Sequence, residues 1–392
     1  MDKQQFQKHL SESLIPFWNK LEDNENGGFY GYMDGNLTID KNAEKGVILN
    51  SRILWFYSAA YSLLGDKELL AKATHAYKFL KDYCYDKRRG GVYWSVTCDG
   101  KPVDTTKHTY NQAFAIYALS EYYMASGDGD GLTLAYDLFR IIEEKCRDKE
   151  GYLEAFSIDF TPDDNNDKLS ENGVIAGRTM NTLLHVLEAY TNLYRADHYE
   201  PVADKLKEIV DIFEAKVFDR EKRRMLVFFD LDYNSLIDLY SYGHDIETSW
   251  LLDKAADVLN DSEYTAKIHA MTNVLADEVK KHAYSESEHA LYNECENGVD
   301  DRKKVWWVQA ESVVGFYNAY EKMPDRTDYE KTSSEIFSFI LDKLVDQRCG
   351  EWYENILEDG TPDLSRGMVH QWKCPYHNGR MCVEMCKRLK ES

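Results

Sequence analysis

The chain has 392 residues, 43% of them hydrophobic and 30% charged, and its 8 Trp, 28 Tyr and 16 Phe supply enough apolar surface to offset the entropy of folding, which excludes disorder. Its 47 Lys and Arg against 69 Asp and Glu leave a formal charge of −22, which repels a phosphate backbone or an anionic membrane surface and excludes nucleic acid as a partner. No segment approaches the roughly 18 uncharged apolar residues of a membrane span, the opening MDKQQFQKHL lacks the apolar core of a secretory leader, and the eight cysteines are too scattered for a disulfide framework, so a cytoplasmic protein with reduced thiols is expected.

From the N-terminus, a Gly- and aromatic-rich segment at Gly27 (GGFYGYMDG) leads into an almost wholly apolar helical stretch, Val47 to Leu64, broken near its start by Arg52. An amphipathic stretch, Lys67 to Tyr85, follows. The same succession returns with an aromatic segment at Gly90, an apolar helix Thr109 to Ala125 with Tyr110 at its start, and an amphipathic helix Leu132 to Lys145. A third segment at Gly151 precedes the most polar stretch, residues 159–172, which reads as a long loop over one face. Then come an apolar helix Thr179 to Tyr194 with Asn181 and His185, and an amphipathic helix Tyr199 to Phe218.

The fourth segment, at Met225, leads to SYGHDIETSWLL, residues 241–252. Here Asp245 reads as the cap or first-turn acid of a helix Asp245 to Leu259, with His244 before it and Glu247 inside it. The fifth segment, at Ala290, leads to the helix Val305 to Tyr320 with Trp307 and Glu311, and then to the amphipathic Asp328 to Val345. After the sixth, at Gly350, HQWKCPYHNGR carries Trp372 and His377 ahead of a last helix around Gly379 to Leu389.

The aromatic segments start 60 to 74 residues apart, a period that implies one repeat architecture rather than several domains. Amphipathic helices keep one side in water, whereas helices apolar nearly all round are buried on both sides. Six of each, joined by short hairpins or extended connections, predict an all-α (α/α)6 barrel of inner and outer rings over residues 1–392, with the hairpins at one end.

Polar residues interrupt the apolar pattern near the start of each inner helix, and parallel inner helices would gather them at one end of the axis. His244 and Glu247 are three apart, a spacing that can bring a carboxylate against an imidazole, fix its tautomer and raise its basicity. His244 is thereby a candidate general base, the alternative being a helix-capping histidine beside a Glu bound to some arginine. His377, before the last inner helix, is a second proton-transfer candidate or else a surface loop histidine. His185 and His370 are similarly open. Trp306, Trp307, Trp372, Tyr110, Trp55 and Trp250 suit the apolar faces of a sugar, or else belong to the core, as Trp55 and Trp250 would. Cys374, His377, Cys382 and Cys386 lack the ligand spacing of structural zinc, and no phosphate-binding glycine motif occurs.

SYGHDIETSWLL, taken with Arg52, WWVQAE and HQWKCPYH, resembles the N-acylglucosamine 2-epimerase superfamily over essentially the whole chain, and within it the branch that acts on cellobiose. The resemblance implies an (α/α)6 barrel that uses no metal or redox cofactor. It implies reversible epimerisation at C2 of the reducing-end glucose of cellobiose, cello-oligosaccharides and lactose, by ring opening and a cis-enediolate. His244 and His377 would then be base and acid on opposite faces of C2, His185 would assist ring opening, and Arg52 would stabilise the enediolate oxygen. Glu247 would orient His244, and Glu311 another catalytic group. Tyr110 and Asn181 would hydrogen-bond the reducing-end sugar, with Trp307 and Trp372 stacked on the two rings. The rival within the superfamily is an N-acylglucosamine epimerase or mannose isomerase acting on a free monosaccharide. Outside it stand a glycosidase with Glu247 and Glu311 as paired carboxylates, and a non-catalytic sugar-binding barrel. With no apolar seam outside the closed barrel, a monomer is expected.

Overall fold

Tight turns join inner helices to outer ones, long connections join outer helices to the next inner one, and this asymmetry gives the molecule two unlike ends. The computed structural model describes residues 1–163, 165, 167–170 and 172–390. In chain order its helices are α1 (3–19), α2 (Val47–Leu64), α3 (67–84), α4 (Thr109–Ser126), α5 (Gly129–Lys145), α6 (Met180–Asp197), α7 (200–217), α8 (Tyr242–Leu259), α9 (Ser262–Ala283), α10 (Trp306–Lys322), α11 (327–344) and α12 (His377–Arg388). The even-numbered helices form the inner ring of an (α/α)6 barrel and the odd-numbered the outer ring, with α1 and α9 completing the set of six among the described residues.

The short turns are legible as helix stop and start signals. α2 ends at Gly65, left-handed with φ 72°, and the next residue, Asp66, accepts from Glu68 N to cap α3. Gly127 and Asp128 repeat the step between α4 and α5, and Asn260 and Asp261 between α8 and α9. The long connections each open with a hairpin. Glu22 bridges Phe29, Tyr85 bridges Val92, Arg147 bridges Tyr152, Phe218–Asp219 pairs with Arg224–Met225, Tyr284–Ser285 with Ala290–Leu291, and Val345 bridges Trp352. These are the six aromatic segments of the sequence.

The residues just before an inner helix then pair with the connection of the next repeat: Lys45–Gly46 with Ser95–Val96, Arg178–Thr179 with Phe228–Phe229, and Lys304–Val305 with Asn355–Ile356. A bridge between Met33 and Val369 joins the first repeat to the last. The hairpin end is thereby stitched into a ring.

Two buried devices set where each inner helix begins. The first is a cation two residues ahead of the helix that binds the acid of its own hairpin turn. Lys45 Nζ lies 2.7 Å from Asp23, Lys107 3.2 Å from Asp86, Arg178 Nη2 2.6 Å from Asp148, and Lys304 pairs with Glu288. The second is a polar side chain three residues into the helix that takes a hairpin amide. Asn50 accepts from Phe29 N, Gln112 from Val92 N, Asp245 from Met225 N and Gln309 from Leu291 N. Between these anchors every residue of α2 from Val47 to Ala60 is buried, and one apolar core from Phe6 to Leu389 is shared by both rings. No helix of the described residues is long and apolar enough to cross a membrane.

Three helix starts differ from the expectation. α5 begins at Gly129 behind its Asp128 cap, not at Leu132. α8 begins at Tyr242, so His244 lies in its first turn, and Asp245 is the first-turn acid and a buried hairpin anchor, the cap position being Ser241. α12 begins at His377, so that histidine opens the helix instead of preceding it. Of the expected loop 159–172, residues 164 and 166 and also 171 lie outside the described residues; Lys168 reaches Asp104 at 2.6 Å and Asn172 reaches Glu296 at 2.9 Å.

The buried cations are costly to remove one at a time. Lys45→Met strands Asp23 without its counter-ion and is expected to lower the unfolding free energy by about 3–5 kcal/mol in urea titration, whereas Lys81→Met, at an exposed pair, costs under about 1 kcal/mol. Equal shifts would show that the buried pair does not anchor the helix.

Candidate active site

The first residues of the inner helices α2, α4, α6, α8 and α10 are 47, 109, 180, 242 and 306. Five positions on stand Arg52, Phe114, His185, Glu247 and Glu311; one position on stand Ile48, Tyr110, Asn181, Gly243 and Trp307. Residues four apart share a helix face, so each helix turns both toward the axis. On the sixth element Tyr376 and Arg380, also four apart, take these places. The hairpin end of the barrel is thus lined in two levels.

Arg380, fully buried, is the hub of the lower level. Its Nη1 donates to Glu188 and to Tyr376 Oη, and its Nη2 to Glu247, with Glu311 Oε1 2.7 Å away. Two of these carboxylates carry a histidine: Glu188 Oε2 is 2.9 Å from His185 Nδ1, and Glu311 Oε1 is 2.7 Å from His377 Nδ1. Trp250 Nε1 donates to the other oxygen of Glu311 at 2.9 Å, so Trp250 holds the site as well as packing. Glu247 has one oxygen on Arg380 while Oε2 is buried without a partner. Burial and the neighbouring Glu311 push Glu247 above the ordinary carboxylate range. Burial opposes ionisation of Glu188 too, but Arg380 and His185 outweigh it and hold that carboxylate ionised.

Arg52 lies under different rules. It is 2% exposed and forms no ion pair among the described residues. Its guanidinium sits 4.1 Å over Phe114 and 4.6 Å over Tyr376, Nη2 donates to Tyr110 Oη at 2.9 Å, Nη1 reaches Cys374 Sγ at 3.7 Å, and Nε has no partner. A buried, always-charged fork held on aromatic faces keeps its charge available for an anion.

His244 and His377 flank one indole. The Trp307 ring is 4.8 Å from His244 and 5.5 Å from His377, and Trp306 adds an edge at 5.3 Å to His377. His244 Nδ1 bonds Ser241 Oγ at 2.7 Å, not Glu247. The expected Glu247–His244 pair is therefore corrected. With the helix starting at Tyr242, the imidazole turns back to the capping serine, and Glu247 is captured by Arg380. Burial and the charge of His185 push His244 down to about 3, and burial together with Arg380 and Arg52 puts His377 well below the usual imidazole range. His185 is lowered as well, first by burial.

Above them Trp372, half-buried, meets Trp94 at 5.7 Å and Tyr110 at 6.1 Å, and Asn181 leaves its buried Oδ1 unpartnered. His370 pairs with Glu354 at 2.8 Å and accepts from the backbone of Trp372 and Lys373, as a prop of that loop. Trp55 stacks on Tyr117 and only packs. All eight cysteines are free.

A family model for N-acylglucosamine 2-epimerase matches residues 28–377. The chain belongs to the N-acylglucosamine 2-epimerase family. It is 52% identical to the cellobiose 2-epimerase of Eubacterium cellulosolvens over 97% of each chain. A crystal structure of a sugar epimerase from a ruminal bacterium superposes with a TM-score of 0.96 at 47% identity, covering 100% of both chains. The cellobiose 2-epimerase of Bacillus thermoamylovorans B4167 superposes with a TM-score of 0.94 at 43% identity, covering 99% of both.

In this family member the donor atoms of Glu247, Glu311 and His377 lie within 4.8 Å of one another, close enough to hold a small cation. The guanidinium of Arg380, bonded to both carboxylates, already occupies that role. Arg52, Tyr110, His185, His244, Glu247, Trp307, Glu311, Trp372 and His377 are joined by these contacts at the hairpin end, with Asn181 one position into α6 beside them, whereas Trp55 packs in the core and His370 props a loop. Sequence reasoning missed Glu188, Ser241, Tyr376 and Arg380. Glu188 had a signal, since it stands three residues after His185 as Glu247 does after His244. Arg380 had only its presence on a buried helix.

Two strongly depressed imidazoles stay neutral where a free histidine titrates. Histidine-selective NMR is expected to find His244 and His377 uncharged with no inflection between about pH 5 and 8, and the midpoint of His185 below the ordinary value. A midpoint near the ordinary value for His244 would refute the depression by burial.

Proposed function

We propose that this chain is a carbohydrate epimerase that interconverts the glucose and mannose forms of the reducing end of cellobiose, cello-oligosaccharides and lactose by moving the C2 proton. The observation that carries the reading is a pair of neutral imidazoles, His244 and His377, packed on one indole beside a buried guanidinium with no carboxylate of its own.

His185 assists ring opening, since the Nδ1–H given to Glu188 leaves Nε2 as the free nitrogen for O1 and the ring oxygen. The resulting aldehyde makes the C2 proton acidic enough to leave. His244 takes it through Nε2, its Nδ1 being held by Ser241. The electron pair moves into C1–C2 and onto the carbonyl oxygen, where Arg52 and Tyr110 compensate the charge. That developing charge also counteracts the two arginines that depress His377, so His377 takes up a proton from water as the enediolate forms and becomes an imidazolium backed by Glu311. Delivery of that proton to the opposite face of C2, with His244 returning the abstracted proton to water, completes the inversion, and the reverse reaction exchanges the roles. Glu247, raised above the usual carboxylate range and with a free Oε2, acts as a hydrogen-bond donor to the sugar rather than as an orienter of His244. Trp307 and Trp372 stack on the two rings, and Asn181 binds the first.

Hydrolysis fits the geometry less well. Glu247 and Glu311 share one guanidinium and approach within 4.8 Å, closer than the roughly 5–9.5 Å that separates paired glycosidase carboxylates. We further read the protein as a cytoplasmic monomer, on the strength of the closed barrel and its formal charge of −22.

Proton NMR of cellobiose incubated with the protein in heavy water is expected to show a mannose-type reducing end with solvent deuterium at C2. Release of glucose would make it a hydrolase, and an unchanged C2–H would sink the epimerase reading. Trp372→Ala is expected to lower kcat/KM on cellobiose roughly ten-fold or more and to change any activity on free glucose or mannose less. Equal losses would move the substrate to a monosaccharide.

A further inference from the structure

Beside Asn378, the residue after His377, one carboxylate gathers four donors, one from its own neighbour, two from the segment around His377 and one from α1. Glu351, 0% exposed, accepts at Oε1 from Lys373 Nζ at 2.8 Å, Asn378 Nδ2 at 2.7 Å and Trp352 N at 2.9 Å, and at Oε2 from Trp18 Nε1 at 2.6 Å. Lys373 is equally buried, and its ammonium lies 4.4 Å over the ring of Trp306, whose edge meets His377 at 5.3 Å and 84°. His377 is thus approached from both sides of the chain through this network: Asn378 follows it directly in sequence, and Trp306 packs on its ring. The same lysine belongs to the segment 370–377 that carries Trp372. None of the proton-transfer steps uses this pair. A fully buried charge pair is also a poor source of stability compared with apolar packing, so its retention points to the position it enforces.

We propose that Glu351 and Lys373 are positioning residues for proton transfer by His377: the pair fixes Asn378 at the start of α12 and Trp306 against the imidazole, and so sets the imidazole at one face of C2. The inference rests on the epimerase reading, in which each face of C2 is served by a different histidine. It makes the two half-reactions separable. The face served by His244 does not depend on Glu351, so removal of the C2 proton by His244 and return of a solvent-derived deuteron by the same imidazole survive when His377 is displaced. Only transfer across the faces is lost.

The test is C2 deuterium wash-in measured beside epimerisation, starting from cellobiose and from its mannose-ended epimer. Glu351→Gln keeps the shape but weakens the grip on Lys373. A displacement of His377 by about 1 Å is expected to slow epimerisation on the order of 10²-fold. In one of the two sugars C2 exchange then falls far less, so that the ratio of exchange to epimerisation rises. Exchange and epimerisation falling together in both sugars, in a variant with native circular dichroism, would mean a general structural role and overturn the proposal. If Glu351→Gln does not fold, Asn378→Ala, which keeps the Glu351–Lys373 pair, is read by the same ratio, and an unchanged ratio there overturns it. Absence of C2 exchange in the unaltered protein would instead be a failure of the epimerase reading itself.

Discussion

The buried cation that stands two residues ahead of an inner helix and binds the acid of its own hairpin turn is the interaction on which the rest of this structure depends. Lys45, Lys107, Arg178 and Lys304 are cations withdrawn from water, tolerable only because each is met at close range, by the equally buried Asp23 and Asp86 and by Asp148 and Glu288, which themselves keep contact with solvent. A helix start tied in this way cannot slide or rotate without uncovering a charge. Rotation by one residue would turn a side chain through about 100° and carry it off the axis. Arg52, Tyr110, Asn181, His185, His244, Glu247, Trp307 and Glu311 lie one, two or five positions into helices whose starts are fixed in this manner or by the equivalent hairpin-amide anchor, and their placement is inherited from those anchors.

Within the funnel the two buried arginines divide the labour by what surrounds them. Arg380 has three carboxylates and neutralises a cluster that would otherwise repel itself, in doing so linking the carboxylate behind His185 to the one behind His377. Arg52 has none and rests on aromatic faces. Tyr376 lies between them, with Arg52 4.6 Å and Arg380 4.2 Å from its ring. One positive charge is therefore satisfied by the fold, and the other is left for the reaction. The same field, with burial, lowers His185 and His377 and favours the neutral imidazole able to accept a proton.

The (α/α)6 barrel does not itself select this chemistry, since hydrolysis and epimerisation need only different residues at the axial positions. Here a single indole touching two imidazoles separates the chain from a paired-carboxylate hydrolase. The tie of both candidate carboxylates to Arg380 makes the distinction physical, because groups sharing one counter-ion cannot stand on opposite sides of a bond.

Much was legible in the sequence. The recurring aromatic hairpins and the contrast between helices apolar on one side and on all sides define two rings of six, since each is a local consequence of backbone conformation or of helical periodicity. The polar residues breaking that periodicity named the site. The starts of α5, α8 and α12 were misjudged, for α8 because Ser241 and Asp245 both offer a cap within one stretch and for α12 because Tyr376 offers none, and the three-residue error in α8 changed the partner of His244 from Glu247 to Ser241. What only the tertiary structure decided is which charges meet. Arg380 finds Glu188 and Glu247 across 192 and 133 residues of chain, and such a meeting depends on how the closed barrel aligns its helices about the axis. A sequence sets the face each helix turns inward; the partner waiting there is set by the ring as a whole, because no local interaction spans the gap.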